Sequence, residues 1–532
     1  MKRRIVSVLL CLTMTMMLVA GCGGKKEDSS QSEEVQKTEE TKESEPISGG
    51  NLSIPIGSDL KSFNYGTISG DDDAEMVLST IYDELCSVTS DGVRYYLAES
   101  CELSEDGTTM TVKLRDDLKW HDGEKITADD LIYTIEWLQN SDNQKGTDNM
   151  RVTSGGQPLT TEKVDDLTVK VISPYPHASM MYSIGELHIM PKHIWEDDSL
   201  TDEEKYSSAI GSGPYKLKEY IPGEKIVVEK NEDYYRTEPS LDTIEFKIMP
   251  DFSAREVAFQ NGEINMLRVT DAKSLEAYEN NEDYKVYNFP EGRINFLIMS
   301  NKGILQDKKA RQAICLALNI PEIVEGVYGD DTFAVPANSM FSRLSYFYID
   351  EYVNYEQNLE EAKKLAEEAG IVGKKLTYVF NNNRTGMEST ALMIQQQLKE
   401  IGVEVEVQGL DSAGFFAAQT GAQPWDFLTS GYMSNGEEFH SMPFYTSAYG
   451  GYMGYDVSQD VDAAWGETEM TTNMEARKAG AEKAYKAAQD CYSLVSISDT
   501  NYVVVMQNNY EGFEDYGMNT LFEDFTKFHL TK

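Results

Sequence analysis

The chain has 532 residues, enough to bury a large core and to divide into several domains. Its 90 Asp and Glu against 47 Lys and Arg give a formal charge of -43, a field that repels nucleic-acid phosphates and anionic lipid headgroups. Nucleic-acid binding is excluded on that ground, and the 40% hydrophobic content suits a globular body kept in solution by its acids.

In chain order, Lys2, Arg3 and Arg4 precede an apolar run from Ile5 to Val19 that is short for a membrane span. Val19-Ala20-Gly21-Cys22 then fits a bacterial lipobox. The expectation is a lipoprotein signal peptide over 1–21, cleavage before Cys22, and a diacylglyceryl group on that thiol. The alternative is an ordinary signal peptide with an incidental cysteine. Residues 22–50, rich in Glu, Lys and Ser and free of aromatics, read as a disordered tether. Cys11 leaves with the signal, so Cys86, Cys101, Cys315 and Cys491 remain, too few for a disulfide scaffold. Cys86 with Cys101 stands as a candidate bridge; no CxxC pair occurs.

From Asn51 onward strand and helix patterns alternate. Met110, Val112 and Leu114 share one face at period two after an Asp106-Gly107 turn. Thr127-Ala128-Asp129-Asp130 reads as a capping box ahead of Leu131, Ile132, Ile135 and Leu138 at helical spacing. Leu359, Ala362, Leu365, Ala366 and Ala369 form a helical stripe that stops at Gly370. Lys375–Phe380 reads as a strand, and Met387, Ala391, Ile394, Leu398 and Ile401 as a helix stopping at Gly402. Val403–Val407 reads as a second strand, so the three make a right-handed βαβ crossover.

Catalytic signatures are scarce. The chain has no HExxH, GxSxG, Walker loop or GxGxxG, and its six histidines lack metal-ligand spacing. Ser58-Asp59-Leu60-Lys61 and Ser141-Asp142-Asn143 match two of the three motifs of serine acyl-transfer enzymes, but K-T-G is missing. That reading is kept as a remote alternative. Asp71-Asp72-Asp73 lacks the spacing of a calcium loop and reads as a solvated acidic turn. No cofactor and no metal is expected, and the chain is expected not to be an enzyme.

Several long segments share one resemblance. Thr111–Leu138, Ile189–Glu196, Gly211–Tyr235, Ile248–Ile264, Ala310–Gly329 and Ile394–Asp411 resemble, in order, the motifs of family 5 extracellular solute-binding proteins. These are the peptide- and nickel-binding receptors of ABC importers. Within the motifs, Gly211, Gly213 and Pro214 suit a turn before a strand, and Trp120 and Trp137 suit a core.

The resemblance implies an α/β fold: a two-lobed periplasmic-binding-protein-like clamp of the large three-domain type, with mixed sheets flanked by helices. Domain I would comprise 51–73, 205–290 and 503–532, domain II 74–204, and domain III 291–502. It implies a monomer, lipid-anchored on the extracytoplasmic face of the cell membrane, that captures di- or oligopeptides between its lobes and delivers them to permease subunits. Receptors for oligosaccharides or a nickel complex are the same-fold alternatives.

In peptide-binding members a cleft segment carries an aromatic after glycine and, three positions on, an aspartate that meets the peptide ammonium. Here Tyr432 and Asn435 stand at those places, with Glu437 or Glu438 as substitute carboxylates. Arg384, after the first strand of the βαβ unit, is a candidate for a ligand carboxylate or a solvated loop residue. Phe63, Asn64 and Tyr65 follow the first strand and are candidates for the cleft face. Trp425 and Tyr432 suit either ring stacking on a ligand or a core.

Overall fold

A computed structural model describes residues 46–531, apart from 61, 68–71, 90–91, 141–150, 198, 352–353, 383, 385, 422, 434–435, 439–441 and 514–523. The signal peptide, Cys22, most of the tether, Asn435 and the Ser141-Asp142-Asn143 motif lie outside the described residues. All that is described belongs to one compact unit, residues 45–532.

Three larger sheets carry the fold. Strand Asn51–Ile56 lies at the edge of a four-stranded sheet, parallel to Thr243–Ile248, with Asn51 opposite Thr243 and Ile56 opposite Ile248. Its partner is thus far away in sequence; Tyr215–Ile221 and Lys225–Lys230 complete this sheet, and the segment from 57 to 214 gives it no strand among the described residues. That segment contains a second four-stranded sheet, in the order Ala98–Leu103, Thr109–Leu114, Thr168–Ile172, Thr160–Lys163. Met110, Val112 and Leu114 are fully buried on one face of it, as their alternation requires. Helix Ala128–Gln139 begins where the sequence places it: the Asp130 carboxylate accepts from the Thr127 N–H at 2.8 Å and the Thr127 hydroxyl at 3.2 Å.

The third sheet is mixed. Its order is Met266–Val269, Leu494–Gln507, Tyr284–Met299, Phe427–Met433, Lys375–Asn381, Glu404–Leu410, and Ala334–Pro336 pairs with the second of these. Lys375–Asn381 and Glu404–Leu410 run parallel, joined by helix Met387–Lys399, which is the βαβ unit expected from the stripe and the alternation. Gly370 and Gly402, at φ of 68° and 77°, end their helices in the left-handed region, where a side chain is costly.

Two strands of this sheet are unusually long, and they join two lobes. Residues 284–290 pair with 501–507, next to Met266–Val269 and the first lobe; residues 294–298 pair with 494–499, inside the second. Between these stretches the register shifts, so that Glu291, Gly292 and Arg293 bulge opposite Thr500. The first lobe packs around Leu52, Leu114, Trp120, Trp137 and Phe246, the second around Leu297, Ile314, Tyr378, Ile394 and Trp465.

The resembling motifs turn out to brace one another. His121 accepts the Gly211 N–H at Nδ1, 3.2 Å away, and its Nε2–H donates to the Gly213 carbonyl at 3.1 Å. The Gly211–Pro214 turn packs so closely that a Cβ on Gly211 would sit 1.9 Å from the Ile81 carbonyl oxygen. Tyr234 and Tyr235 both donate to the buried Asp83 carboxylate, at 2.9 and 2.8 Å.

Burial holds His121 down to a pKa of about 4 and His188 down to about 3, against an ordinary 6.5. The unfolded chain therefore binds more protons than the folded one once the pH drops below 6.5. The stability these rings contribute is complete above that pH and is lost as the pH falls toward each folded value. The His121 share is about 3 kcal/mol at about 1.4 kcal/mol per pH unit. Melting curves from pH 7 to pH 4 are expected to show this decline, and His121→Asn is expected to flatten it. A slope unchanged in that variant would remove His121 as the source.

Candidate functional site

The two lobes also meet at a seam of side-chain hydrogen bonds. From the first lobe comes Ser179, the residue that opens the short helix Met180–Ser183. The second lobe supplies Glu437, just beyond strand Phe427–Met433, Glu469, at the end of helix Gln459–Glu469, and Arg477, in helix Met474–Gln489.

Arg477 grips Glu437 with both terminal nitrogens. Nη1 donates to Oε1, and Nη2 to Oε2 at 2.7 Å. Both side chains are almost wholly buried, at 4% and 3% exposure. The Arg477 Nε–H donates to the Thr468 carbonyl at 3.2 Å, and its guanidinium lies 5.4 Å from the centre of the Phe347 ring. Burial pushes the Glu437 carboxyl up against the opposing pull of Arg477.

Ser179 keys into this pair from across the seam. Its hydroxyl donates to Glu469 Oε1 at 2.7 Å and accepts from Arg477 Nη2 at 3.1 Å. Its N–H reaches Glu469 Oε2 at 3.3 Å, and the Ala178 N–H reaches the Glu469 carbonyl at 3.2 Å. Farther along, the Thr472 hydroxyl donates to the Glu105 carbonyl at 3.4 Å, and the Tyr182 and Tyr346 rings meet edge to face at 6.3 Å. The seam is thus a polar latch, one guanidinium between two carboxylates in one lobe, met by hydroxyl and amide groups of the other.

Several residues singled out in the sequence are buried among neighbours. Tyr432 is 5% exposed; its ring packs on Phe296 and Phe444, and its hydroxyl is hydrogen-bonded to the Met340 carbonyl and the Tyr445 hydroxyl. Trp425 is buried in the same cluster and donates its indole N–H to Ala418. Phe63 is buried edge-on to Tyr220. All three rings are packed against neighbours in this structure. Glu437 is likewise committed, because its carboxylate is occupied by Arg477.

Asn64 and Tyr65 keep more to offer. The Asn64 carbonyl oxygen accepts from the Gly66 N–H at 2.8 Å, while its buried amide nitrogen has no acceptor among the described residues. Tyr65, half-buried, stacks flat on His188 at 3.6 Å. Arg384 is half-buried in the loop after Lys375–Asn381, its N–H donating to the Asn381 carbonyl at 3.2 Å. Glu438 is buried close to Tyr432 and Tyr445. Ser58 follows strand Asn51–Ile56 at a bend, with no helix carrying it. The residues that sequence reasoning missed are Ser179, Glu469 and Arg477. Arg477 in a helical stretch and Ser179 in a loop carry no motif of their own.

A polar depression of about 500 Å³, lined by Gln260, Asn261, Tyr284, Gln507, Asn508 and Thr531 among others, lies on the first lobe and its long strands, away from the seam. Among the described residues no cluster of three or more His, Cys, Asp or Glu is placed to hold a metal ion. No helix among them is long and apolar enough to cross a membrane.

Comparison with known proteins gives a consistent placement. The oligopeptide-binding protein AppA of Bacillus subtilis is 29% identical over 454 residues, 80% of each chain. The crystal structure of the ABC transporter substrate-binding protein CtaP from Listeria monocytogenes is 31% identical, with a TM-score of 0.80 over 91% of this chain and 100% of that one. The structure of Bacillus subtilis AppA in complex with a nonapeptide is 26% identical, with a TM-score of 0.78 over 92% of this chain and 100% of that one. The fold is therefore that of the two-lobed periplasmic binding proteins. The model of the bacterial extracellular solute-binding proteins, family 5, matches residues 92–453, and the chain belongs to that family.

Proposed function

We propose that this protein is the substrate-binding receptor of an ABC importer, closing its two lobes around a peptide and delivering it to the permease. The observation that carries the reading is the seam. Ser179 of one lobe is hydrogen-bonded into the Glu437–Arg477–Glu469 group of the other, while two continuous strands join the lobes at a bulge. A ligand that contacts both lobes is bound best by the closed arrangement and so favours it. The likeness to AppA, a protein named for oligopeptides and solved with a nonapeptide, supports peptide as the cargo.

On this reading Asn64 and Tyr65 serve the cargo from the first lobe, Arg384 and Asn435 from the second. An amide such as Asn64 supplies a donor for a peptide carbonyl. The division into domain I (51–73, 205–290, 503–532), domain II (74–204) and domain III (291–502) belongs to the same proposal. The parallel pairing of Asn51–Ile56 with Thr243–Ile248 supports it. The Cys22 lipid anchor, a membrane-tethered monomeric state and the absence of catalysis complete it.

A thermal-shift panel of peptides, cello-oligosaccharides and nickel chelates tests the cargo. A true ligand at a hundred times its Kd adds about 2.7 kcal/mol to stability. Peptides are expected to raise the melting temperature and the other two classes to leave it unmoved. A shift with sugars or chelates alone would replace the peptide reading, and turnover of any panel member would overturn the receptor reading.

A further inference from the structure

Two buried thiols of the first lobe have no part in cargo capture. Cys86 opens strand Cys86–Thr89 and is fully buried; Cys101 sits within strand Ala98–Leu103 at 5% exposure. The fold brings them together: both lie in the same core cluster, with Cys101 the neighbour that acts most strongly on the Cys86 thiol. The backbone fixes that approach. Both the Tyr96 and Ala98 N–H groups donate to the Leu85 carbonyl, at 3.1 and 3.0 Å, which lays the start of the second strand against the start of the first. Tyr95, opposite Cys86 in the intervening hairpin, hydrogen-bonds the backbone of Cys101.

The pair also abuts the latch. The Cys86 N–H donates to the Gly185 carbonyl at 2.7 Å, and a Cβ on Gly185 would sit 2.7 Å from Cys86 Sγ. Gly185 ends the short helical segment that Ser179 opens. By contrast, Cys315 is buried alone in the core of the second lobe, and the Cys491 thiol donates to the Ala487 carbonyl at 3.4 Å.

We propose that Cys86 and Cys101 form a disulfide in the exported protein, stapling the two strands and bracing the segment that carries Ser179. The family is extracellular, a setting in which disulfides persist. The electrons pass to the disulfide of an exported thiol oxidoreductase. One cysteine thiolate attacks that disulfide and forms a mixed disulfide; the second thiolate displaces the oxidoreductase, which leaves as a dithiol. In sum two cysteine S–H bonds are lost, one S–S bond forms, and two electrons and two protons end on the oxidoreductase. The exchange precedes docking of the strands, since the folded thiols are closed to a protein oxidant and the neighbouring Cys101, together with burial, suppresses the thiolate of Cys86. Once formed, the bond is shielded from reduction.

The exported full-length chain, denatured in iodoacetamide without reductant, digested and mapped by mass, tests this. The Cys86 and Cys101 peptides are expected as one cross-linked species, lighter by two hydrogens than their sum and separated by dithiothreitol. The Cys315 and Cys491 peptides are expected singly alkylated. Recovery of Cys86 and Cys101 as separate alkylated peptides would overturn the proposal. Wild type unfolded and refolded in reductant, which keeps both thiols free, is also expected to melt about 3 °C lower than the oxidised protein, while the Cys86→Ala/Cys101→Ala variant treated alike is unmoved. An unmoved wild type would overturn the bracing role.

Discussion

Arg477→Met is expected to cost about 3–5 kcal/mol of stability, because it strands the Glu437 carboxylate, 3% exposed, without its cation. Methionine keeps most of the apolar stem, so the lost charge outweighs lost packing, although the guanidinium's seat over Phe347 goes with it. What is removed is the bidentate grip on Glu437, the donor to Ser179 across the seam, and the contact with Glu469. Denaturant unfolding reads the first loss. Small-angle scattering of the cargo-free protein reads the second as a larger radius of gyration, since Ser179 loses the Arg477 donor and keeps only Glu469. Adding Glu437→Gln to the Arg477→Met chain is expected to recover about half of the stability, a neutral amide being far cheaper to bury than a lone carboxylate. It is not expected to restore the compact scattering profile. A single variant that unfolds like the wild type would show that the pair is not buried as described. A double variant no more stable than the single one would show that the stranded charge is not the cause.

The contrast between this latch and the βαβ unit shows what the chain discloses of itself. The unit at 375–410 is local: its apolar stripe, its alternation and its helix-ending glycine lie within 36 residues and each has a period. The long motifs were legible for the same reason, and their turns and tryptophans fall where their composition puts them. The latch has no period. Ser179 and Arg477 are separated by 298 positions, and nothing in either neighbourhood announces the other. Tyr432 and Trp425 mark a different limit. An aromatic residue ahead of a polar loop is equally suited to a cleft wall and to a core. In the structure Tyr445 and Met340 take up the Tyr432 hydroxyl, and Ala418 accepts from the Trp425 indole, partners remote from the local pattern. Glu437 was expected to meet a ligand ammonium; in the structure its carboxylate is held by Arg477, a partner nothing nearby announced.

The joint between the lobes is where the other large effect is expected, on replacing Glu291 by alanine. Its carboxylate, 3% exposed, accepts from Arg268 Nη2 at 2.9 Å, Arg293 Nε at 3.4 Å and the Thr500 hydroxyl at 2.6 Å. Arg268 stands on the first-lobe strand Met266–Val269, whereas Arg293 and Thr500 belong to the two long strands at the bulge. One carboxylate thereby holds the bulge to the first lobe. Burial alone would push it up, but the two guanidinium groups and the hydroxyl outweigh burial and hold its pKa at about 2, below the ordinary 4.5. A carboxyl with a lowered folded pKa contributes stability that is complete above pH 4.5 and lost as the pH falls toward 2. The difference is worth about 3 kcal/mol at about 1.4 kcal/mol per pH unit. Glu291→Ala is therefore expected to cost about 3 kcal/mol or more at pH 7, the stranded arginines adding to the loss. Glu291→Gln, which keeps the shape and the Thr500 bond, is expected to cost less and to weaken the loss of stability between pH 4.5 and pH 3. Urea unfolding of the three proteins at pH 7 and pH 3 distinguishes these outcomes. Equal midpoints at pH 7 would mean that the bulge holds without its carboxylate. An acid loss as large in Glu291→Gln as in the wild type would place the responsible proton elsewhere.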